Sequence, residues 1–177
     1  MGIAAGQGSD KIGVGLILPD PRDCQVRIVL QRVTSASVEV DGEIVAQIGQ
    51  GLLALIGVGH GDDERTADWL ADKTVELRVF ADLQGKMNRS LIDVGGAVLA
   101  VSQFTLLGDC RKGRRPAFTD AAAPELANRL YLHYATRIAA RGIQVARGVF
   151  GADMQVSLVN DGPVTMIIDR PSANATA

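Results

Sequence analysis

Val156–Ile168, VSLVNDGPVTMII, is the stretch on which the fold reading turns. Two apolar runs, Val156 to Val159 and Val164 to Ile168, have the length and β-branched content of strands, and Asn160, Asp161, Gly162 and Pro163 interrupt them. Pro163 has no N–H and a fixed φ, whereas Gly162 is the residue least restricted in φ. The pair therefore cannot continue a regular ladder and demands a turn, a bulge or a cis bond between two strands. Taken alone, it reads as a trans Gly-Pro in a surface turn, since only about 5–6% of X–Pro bonds in folded proteins are cis.

Upstream, a second apolar run, Ala97 to Val101, ends in Ser102, Gln103, Phe104, Thr105 and Leu106. Leu52 to Val58 is a third, nearly continuous run that reads as a strand buried on both faces. Val26 to Val33 is β-rich, and Val38 to Val45 reads as a hairpin about Asp41-Gly42, a pair suited to a two-residue primed turn. Gly57, Gly59 and Gly61 lack both GxGxxG spacing and a GK[ST] ending, so they read as a strand exit and turn.

Asp62 or Asp63 suits the cap of a helix with Ala67, Leu70, Ala71, Thr74 and Leu77 on its inner face, and Trp69 at the edge of that stripe. Pro124 opens a second helix with Leu126, Leu130, Tyr134 and Ile138 on one face, and Gly142 ends it. The stretch after Val79-Phe80 reads as a loop or irregular hairpin, and Gln144 to Ala146 returns to strand. Two helices among some eight β segments give an α+β domain with an antiparallel or mixed sheet, without the βαβ alternation of a doubly wound fold.

The 177 residues suffice for one domain, and 47% hydrophobic with 21% charged residues is a globular balance. No apolar run approaches the length of a membrane span. A net charge of −2 and a pI near 5.6 argue against a protein that coats nucleic acid, and leave room for one that touches RNA only at its tip. Cys24 and Cys110 form neither a disulfide framework nor a zinc spacing, which makes the cytoplasm the expected compartment. Residues 1–25 are rich in Gly, aperiodic and unlike a secretory signal, so they read as an extension or as the product of a start placed too far upstream. The domain is expected over 26–170, with a flexible tail over 171–177.

Reactive groups are sparse. His60 and His133 have no partner evident from sequence, no GxSxG elbow surrounds Ser102, and no HExxH motif occurs. Ser102, Gln103 and the backbone N–H groups of Phe104 and Thr105 supply hydrogen-bond donors without a strong base, a set suited to polarising an acyl carbonyl. Such donors, fixed in a dry site, contribute about 3–4 kcal/mol each to an oxyanion-like transition state. Arg111, Lys112, Arg114 and Arg115 form a basic run that reads either as a solvated loop or as a receiver of phosphates.

SQFTL over 102–106, followed in order by NDGPVT over 160–165, resembles the D-aminoacyl-tRNA deacylases. VLQRVTSASV at 29–38, GKMN at 85–88, RRPAF at 114–118 and FGADMQVSLVNDGPV at 150–164 extend the resemblance through most of the chain. It implies a barrel-like sheet with two main helices packed outside, a homodimer, and no metal or organic cofactor. The implied reaction is hydrolysis of the ester joining a D-amino acid, or glycine, to the 3′-terminal ribose of tRNA, with an RNA hydroxyl assisting; membrane and DNA have no part in it. Catalysis falls to Ser102, Gln103, Phe104 and Thr105. Thr165 joins them as a residue whose hydroxyl lacks an evident base, since a threonine nucleophile needs one. Gly162 and Pro163, as a cis pair from one subunit entering the other's pocket, crowd the place of an L side chain. Asn160, Val164, Arg32, Phe150 and Met154 are the remaining expected contacts, with Arg32 bracing the Gly-Pro carbonyls and Phe150 and Met154 lining the pocket or merely the core. Two other readings stay open: a general ester or amide hydrolase with a Ser102 or Thr165 nucleophile, and a noncatalytic module that binds tRNA ends.

Overall fold

A computed structural model describes residues 24–171. The extension expected over 1–25, apart from its last two residues, and the tail beyond Pro171 lie outside the described residues. The first strand, β1, spans Cys24–Val40 and is the spine of the sheet. Along one edge it pairs antiparallel first with β3 (Gly51–Gly57), from Arg27 opposite Gly57 to Val33 opposite Gly51, and then with β2 (Glu43–Ile48). Along its other edge it pairs antiparallel with the last strand, β8 (Gln155–Pro171), over nearly its whole length. A single 17-residue strand with two partners on one side must bend and twist, and this curls the sheet toward a barrel.

The expected hairpin is present: Asp41 and Gly42 both have positive φ, at 52° and 83°, as a two-residue primed turn requires. Helix α1 (Glu64–Glu76) is capped by Asp63, whose carboxylate accepts from the Thr66 N–H at 2.8 Å. Its buried face holds Ala67, Leu70, Ala71, Thr74 and Val75, while Leu77 falls on the C-cap. A short hairpin of β4 (Phe80–Ala81) and β5 (Met87–Arg89) leads into α2 (Leu91–Val94), a single turn closed by a Ser90–Asp93 capping box. Strand β6 (Ala97–Ser102), α3 (Pro124–Ala140) and β7 (Val145–Arg147) follow.

One sequence expectation needs correction. Strands β3, β6 and β7 are adjacent and parallel, and α1 and α3 lie in the two connections, so two helical crossovers exist where βαβ alternation seemed absent. The alternation is hidden because β4, β5 and α2 intervene in the first crossover and a long loop precedes α3 in the second. Both helices contribute to the core on one face of the sheet, unlike a doubly wound fold. That core joins Ile28, Leu30, Leu52 and Val98 to Leu70, Leu130 and Tyr134, all buried. The opposite faces of the same strands, with Val33, Leu53, Leu99 and Val101, form a second apolar core inside the curl. Continuous burial of β3 and β6 thus follows from apolar layers on both sides.

The two histidines also acquire partners that sequence did not show. His133 pairs with Asp68 at 2.9 Å on the α1–α3 seam, and the His60 ring lies 2.7 Å from the Thr119 carbonyl. His60 belongs to the Gly59–Asp63 loop, whose Gly59 bridges Ala121. Inside that loop Asp62 is 6% exposed; one carboxylate oxygen accepts from the Gly59 N–H at 2.5 Å and the other is buried with no partner among the described residues. Burial pushes this carboxyl up from 3.8 to about 7, against the opposing Gly59 N–H and Arg170, with neighbouring Asp63 adding to the rise. The folded state therefore holds a proton that the unfolded chain releases near 3.8. Stability should fall as pH rises from about 4 to about 7, with a slope of up to roughly 1.4 kcal/mol per pH unit. Asp62→Asn keeps the acceptor and removes the titration, so urea denaturation should show the stability difference moving toward the variant by about 2 kcal/mol between pH 5 and 7.5. Parallel pH profiles for the two proteins would contradict this reading.

Candidate active site

The SQFTL segment is a strand end that folds over its neighbour. Ser102 closes β6 opposite Ile56, and the Gln103 N–H donates to the Ile56 carbonyl at 2.7 Å. Phe104–Leu107 then forms a 3₁₀ turn. A turn of this kind gives intra-turn acceptors only from its third residue on, which leaves the N–H groups of Phe104 and Thr105 outside its own bonding. Gly57 makes the close packing possible: a Cβ there would stand 3.1 Å from both the Gln103 carbonyl oxygen and the Leu106 Cβ. Sequence reading took Gly57 for a strand exit; it is also the bed on which the turn lies.

Arg27 locks the turn from the other side, and sequence reasoning missed it. Its guanidinium meets both Asp169 carboxylate oxygens, at 2.8 and 3.2 Å, and donates to the Leu106 carbonyl at 3.2 Å. One side chain thus ties β1, β8 and the SQFTL turn together. The signal available was a charge set inside the apolar run Val26 to Val33, one of two there with Arg32.

A cleft of about 510 Å³ opens beside the turn, with Ser102, Gln103, Phe104, Phe150 and Met154 among its lining. Met154 reaches it over Gly148, where a Cβ would fall 2.7 Å from its sulfur. The Ser102 hydroxyl has neither histidine beside it in this lining. The Gln103 amide donates to the Thr105 hydroxyl at 2.5 Å, which keeps both side chains on the turn itself.

The Gly-Pro segment lies elsewhere on the same chain. In the β1–β8 ladder Gln31 pairs with Thr165 and Val33 with Asn160, so the four residues Asp161 to Val164 stand opposite Arg32 alone. The strand therefore continues through the interruption as a bulge, and the Gly162–Pro163 bond is cis. Gly162, at φ +132°, has no room for a side chain: a Cβ would lie 2.7 Å from the Val164 Cγ2 and 3.1 Å from the Arg32 Nη2. Asn160 closes the base of the bulge, accepting from the Val164 N–H at 2.8 Å and donating to the Val164 carbonyl at 3.2 Å. It does for Val164 what a neighbouring strand would do.

Arg32 is the second fastening. Buried at 9% exposure, it donates through Nε to the Asp161 carbonyl at 3.1 Å and pairs with the Asp161 carboxylate at 3.0 Å. Its Nη1 donates to the Val79 carbonyl, and the guanidinium lies 6.0 Å from the Phe80 ring centroid. The carbonyl it grips is that of Asp161, at the entry to the Gly-Pro pair. Thr165 is exposed, and its hydroxyl lies 3.3 Å from the Gln31 and Asn160 side-chain amides. Neither amide is a base.

None of Asn160, Gly162, Pro163 or Thr165 lines the cleft of its own chain. Ser102 aligns with Ile56 on β3 and the bulge with Leu52, four residues earlier, and three strand spacings separate β6 from β8. On the sheet surface this is about 13 Å along the strands and about 14 Å across them.

The basic run occupies a third position. Asp109 and Ala117 exchange backbone hydrogen bonds of 2.7 and 3.0 Å, closing a small hairpin whose tip carries Arg111, Lys112, Arg114 and Arg115, all exposed. Arg111 forks onto Asp109 with both contacts at 2.7 Å, and these bonds hold the Asp109 carboxyl well below the usual carboxylate range. Lys112, Arg114 and Arg115 make no ion pair among the described residues. Ala117 leads through Phe118 to Ala121 on the cleft wall, so the base of the hairpin is joined to the cleft by a short stretch of chain.

Comparison with known proteins gives this geometry a family. Residues 29–169 match the family model described as D-Tyr-tRNA(Tyr) deacylase. A D-aminoacyl-tRNA deacylase of Rhodopirellula baltica is 63% identical over 144 residues, 81% of this chain and 99% of the relative. That of Pelobacter propionicus is 59% identical over 145 residues, 82% of this chain and all of the relative. Among solved structures, one titled c-Myc DNA unwinding element binding protein superposes with a TM-score of 0.78 at 38% identity, covering 82% of this chain and 99% of its own. A probable eukaryotic D-amino acid tRNA deacylase superposes at 0.72 and 19% identity, over 82% of this chain and all of its own, a likeness of fold. By a family match over most of its length and by relatives near 60% identity, the chain belongs to the D-Tyr-tRNA(Tyr) deacylase family.

Proposed function

We propose that the chain carries out its family's proofreading reaction, hydrolysis of D-aminoacyl-tRNA, with a site assembled from two copies. The observation that carries this reading is the separation of the two motifs. The donor-bearing turn lines a cleft, and the bulge that would select chirality stands on the same sheet too far away to reach it. In a homodimer, the exposed Gly162–Pro163 segment of one copy enters the cleft of the other. Its main-chain atoms then occupy the volume an L side chain would need. Rejection by exclusion asks nothing of the D side chain, so many D-amino acids and glycine are accepted.

Within the cleft, the N–H groups of Phe104 and Thr105 polarise the ester carbonyl, with Ser102 and Gln103 shaping the same wall. The ester is already activated, and the neighbouring ribose hydroxyl positions or deprotonates water, so the chain supplies orientation rather than a strong base. Phe150 and Met154 line the aminoacyl pocket, and Val164 and Asn160 hold the selecting bulge. The substrate places the protein in the cytoplasm, and among the described residues no helix is long and apolar enough to cross a membrane.

Incubation with matched D- and L-tyrosyl-tRNA, with and without EDTA, is expected to release D-tyrosine and spare the L ester in both conditions. Thr165→Ala should keep most of the activity and form no acyl-enzyme, because the hydroxyl has only amides beside it. A trapped covalent adduct, or equal loss of both esters, would instead favour a general esterase.

Arg32→Ala removes both grips on Asp161, and the ratio of D to L hydrolysis should fall by roughly 10-fold or more, the order of one charged hydrogen bond. An unchanged ratio in a variant that still melts cooperatively would remove Arg32 from the selecting machinery. Arg27→Ala frees the SQFTL turn instead, so kcat for the D ester should drop by about 10-fold with KM and the D/L ratio little changed. Full kcat in the folded variant would show that the turn holds itself.

A further inference from the structure

Between the cleft and the cationic hairpin stands a pair of aromatic rings with no part in the chemistry above. The rings of Phe104 and Phe118 meet edge to face, with centroids 5.0 Å apart and planes at 64°. Both remain open to solvent, Phe104 at 55% and Phe118 at 38% exposure. The pair is built rather than incidental: Phe118 lies on the 3₁₀ turn only because residue 108 is glycine, where a Cβ would come within 2.9 Å of the Phe118 Cε1. Phe104 lines the cleft, and Phe118 stands next to Ala117 at the base of the hairpin that carries Lys112, Arg114 and Arg115. An exposed aromatic step, a pocket on one side and unpaired cations on the other is the combination that receives a single-stranded nucleic acid: bases stack on ring faces and phosphates meet the cations.

We infer that Phe104 and Phe118 form a stacking step for an unpaired nucleobase just upstream of the tRNA's terminal nucleotide, with Lys112, Arg114 and Arg115 on the adjoining phosphates. This rests on the reading of the cleft as the site of the terminal aminoacyl ester. The step accounts for how a protein of net charge −2 holds RNA: it grips a short single strand at one rim and leaves the duplex alone. Stacking is indifferent to base identity, so the step adds affinity for the 3′ end without choosing among tRNAs.

The test uses the full chain and two probes. The first is a 5′-fluorescein single-stranded RNA ending in CCA, followed by anisotropy. Phe118→Leu keeps an apolar body over Gly108 and removes the ring face; it should bind this RNA roughly 10-fold more weakly, and Phe118→Tyr should bind as the wild type does. Arg114→Ala with Arg115→Ala should flatten the dependence of log Kd on log salt by about 0.7 for each phosphate that is no longer neutralised.

The second probe compares D-tyrosyl-tRNA with D-tyrosyl-adenosine, which lacks every nucleotide upstream of the ester. Phe118→Leu should raise KM for the tRNA about 10-fold and leave cleavage of the adenosine ester unchanged. Equal effects on both esters, no effect on either, or no RNA binding by the wild type would overturn the inference, as would a change in oligomeric mass in place of RNA affinity. If the wild type bound the RNA and cut neither ester, the proposed reaction would fail while the stacking step stood.

Discussion

The guanidinium of Arg32 fixes a four-residue excursion against a strand that offers it one residue of space. It stands on the helix-facing side of β1, is nearly sealed from solvent, and has oxygen partners on Asp161 and Val79. A buried guanidinium without partners is strongly unfavourable, so the position of the charge and the path of the chain around it are set together. Asn160 completes the closure by standing in for the missing strand partner of Val164. The bulge is therefore presented as a rigid feature with Gly162 and Pro163 at its exposed crest. The selecting role proposed for the bulge needs that rigidity, because a wedge that yields excludes nothing.

The same sheet that holds the bulge keeps it away from the SQFTL turn. β1 lies between the bulge on β8 and the β3–β6 pair that ends in the SQFTL turn, and Arg27 and Arg32 sit on this one strand, one fastening each motif. Under the proposed function, polarising the ester and judging its chirality are thus separated within one chain, and it is a second copy that would reunite them. On that proposal few reactive groups suffice: no nucleophile or strong base has to be built, only donors and volume held in register.

Much of this was legible in the sequence, for identifiable reasons. The Asp41-Gly42 hairpin, the Asp63 cap, the Pro124 helix start and the apolar runs of β3 and β6 are local signals, and the chain obeys them. Gly162-Pro163 announced an interruption, and only pairing with β1 decides that it is a bulge within one strand rather than a turn between two. The parallel crossovers were hidden because direction depends on which strands meet, which no local period encodes. Arg27 escaped notice because its acceptors, Asp169 and the Leu106 carbonyl, lie 142 and 79 positions away. Gly57, Gly108 and Gly148 are equally silent in sequence: each matters for the atom it leaves room for, on Leu106, Phe118 and Met154.

The claim on which the account rests is that one chain does not contain a whole site. Mass photometry across a dilution series, with D- and L-tyrosyl-tRNA hydrolysis followed at each concentration, tests it directly. Activity toward the D ester and its preference over the L ester should decline together as the dimer dissociates. A monomer that hydrolyses the D ester with undiminished preference would contradict the account.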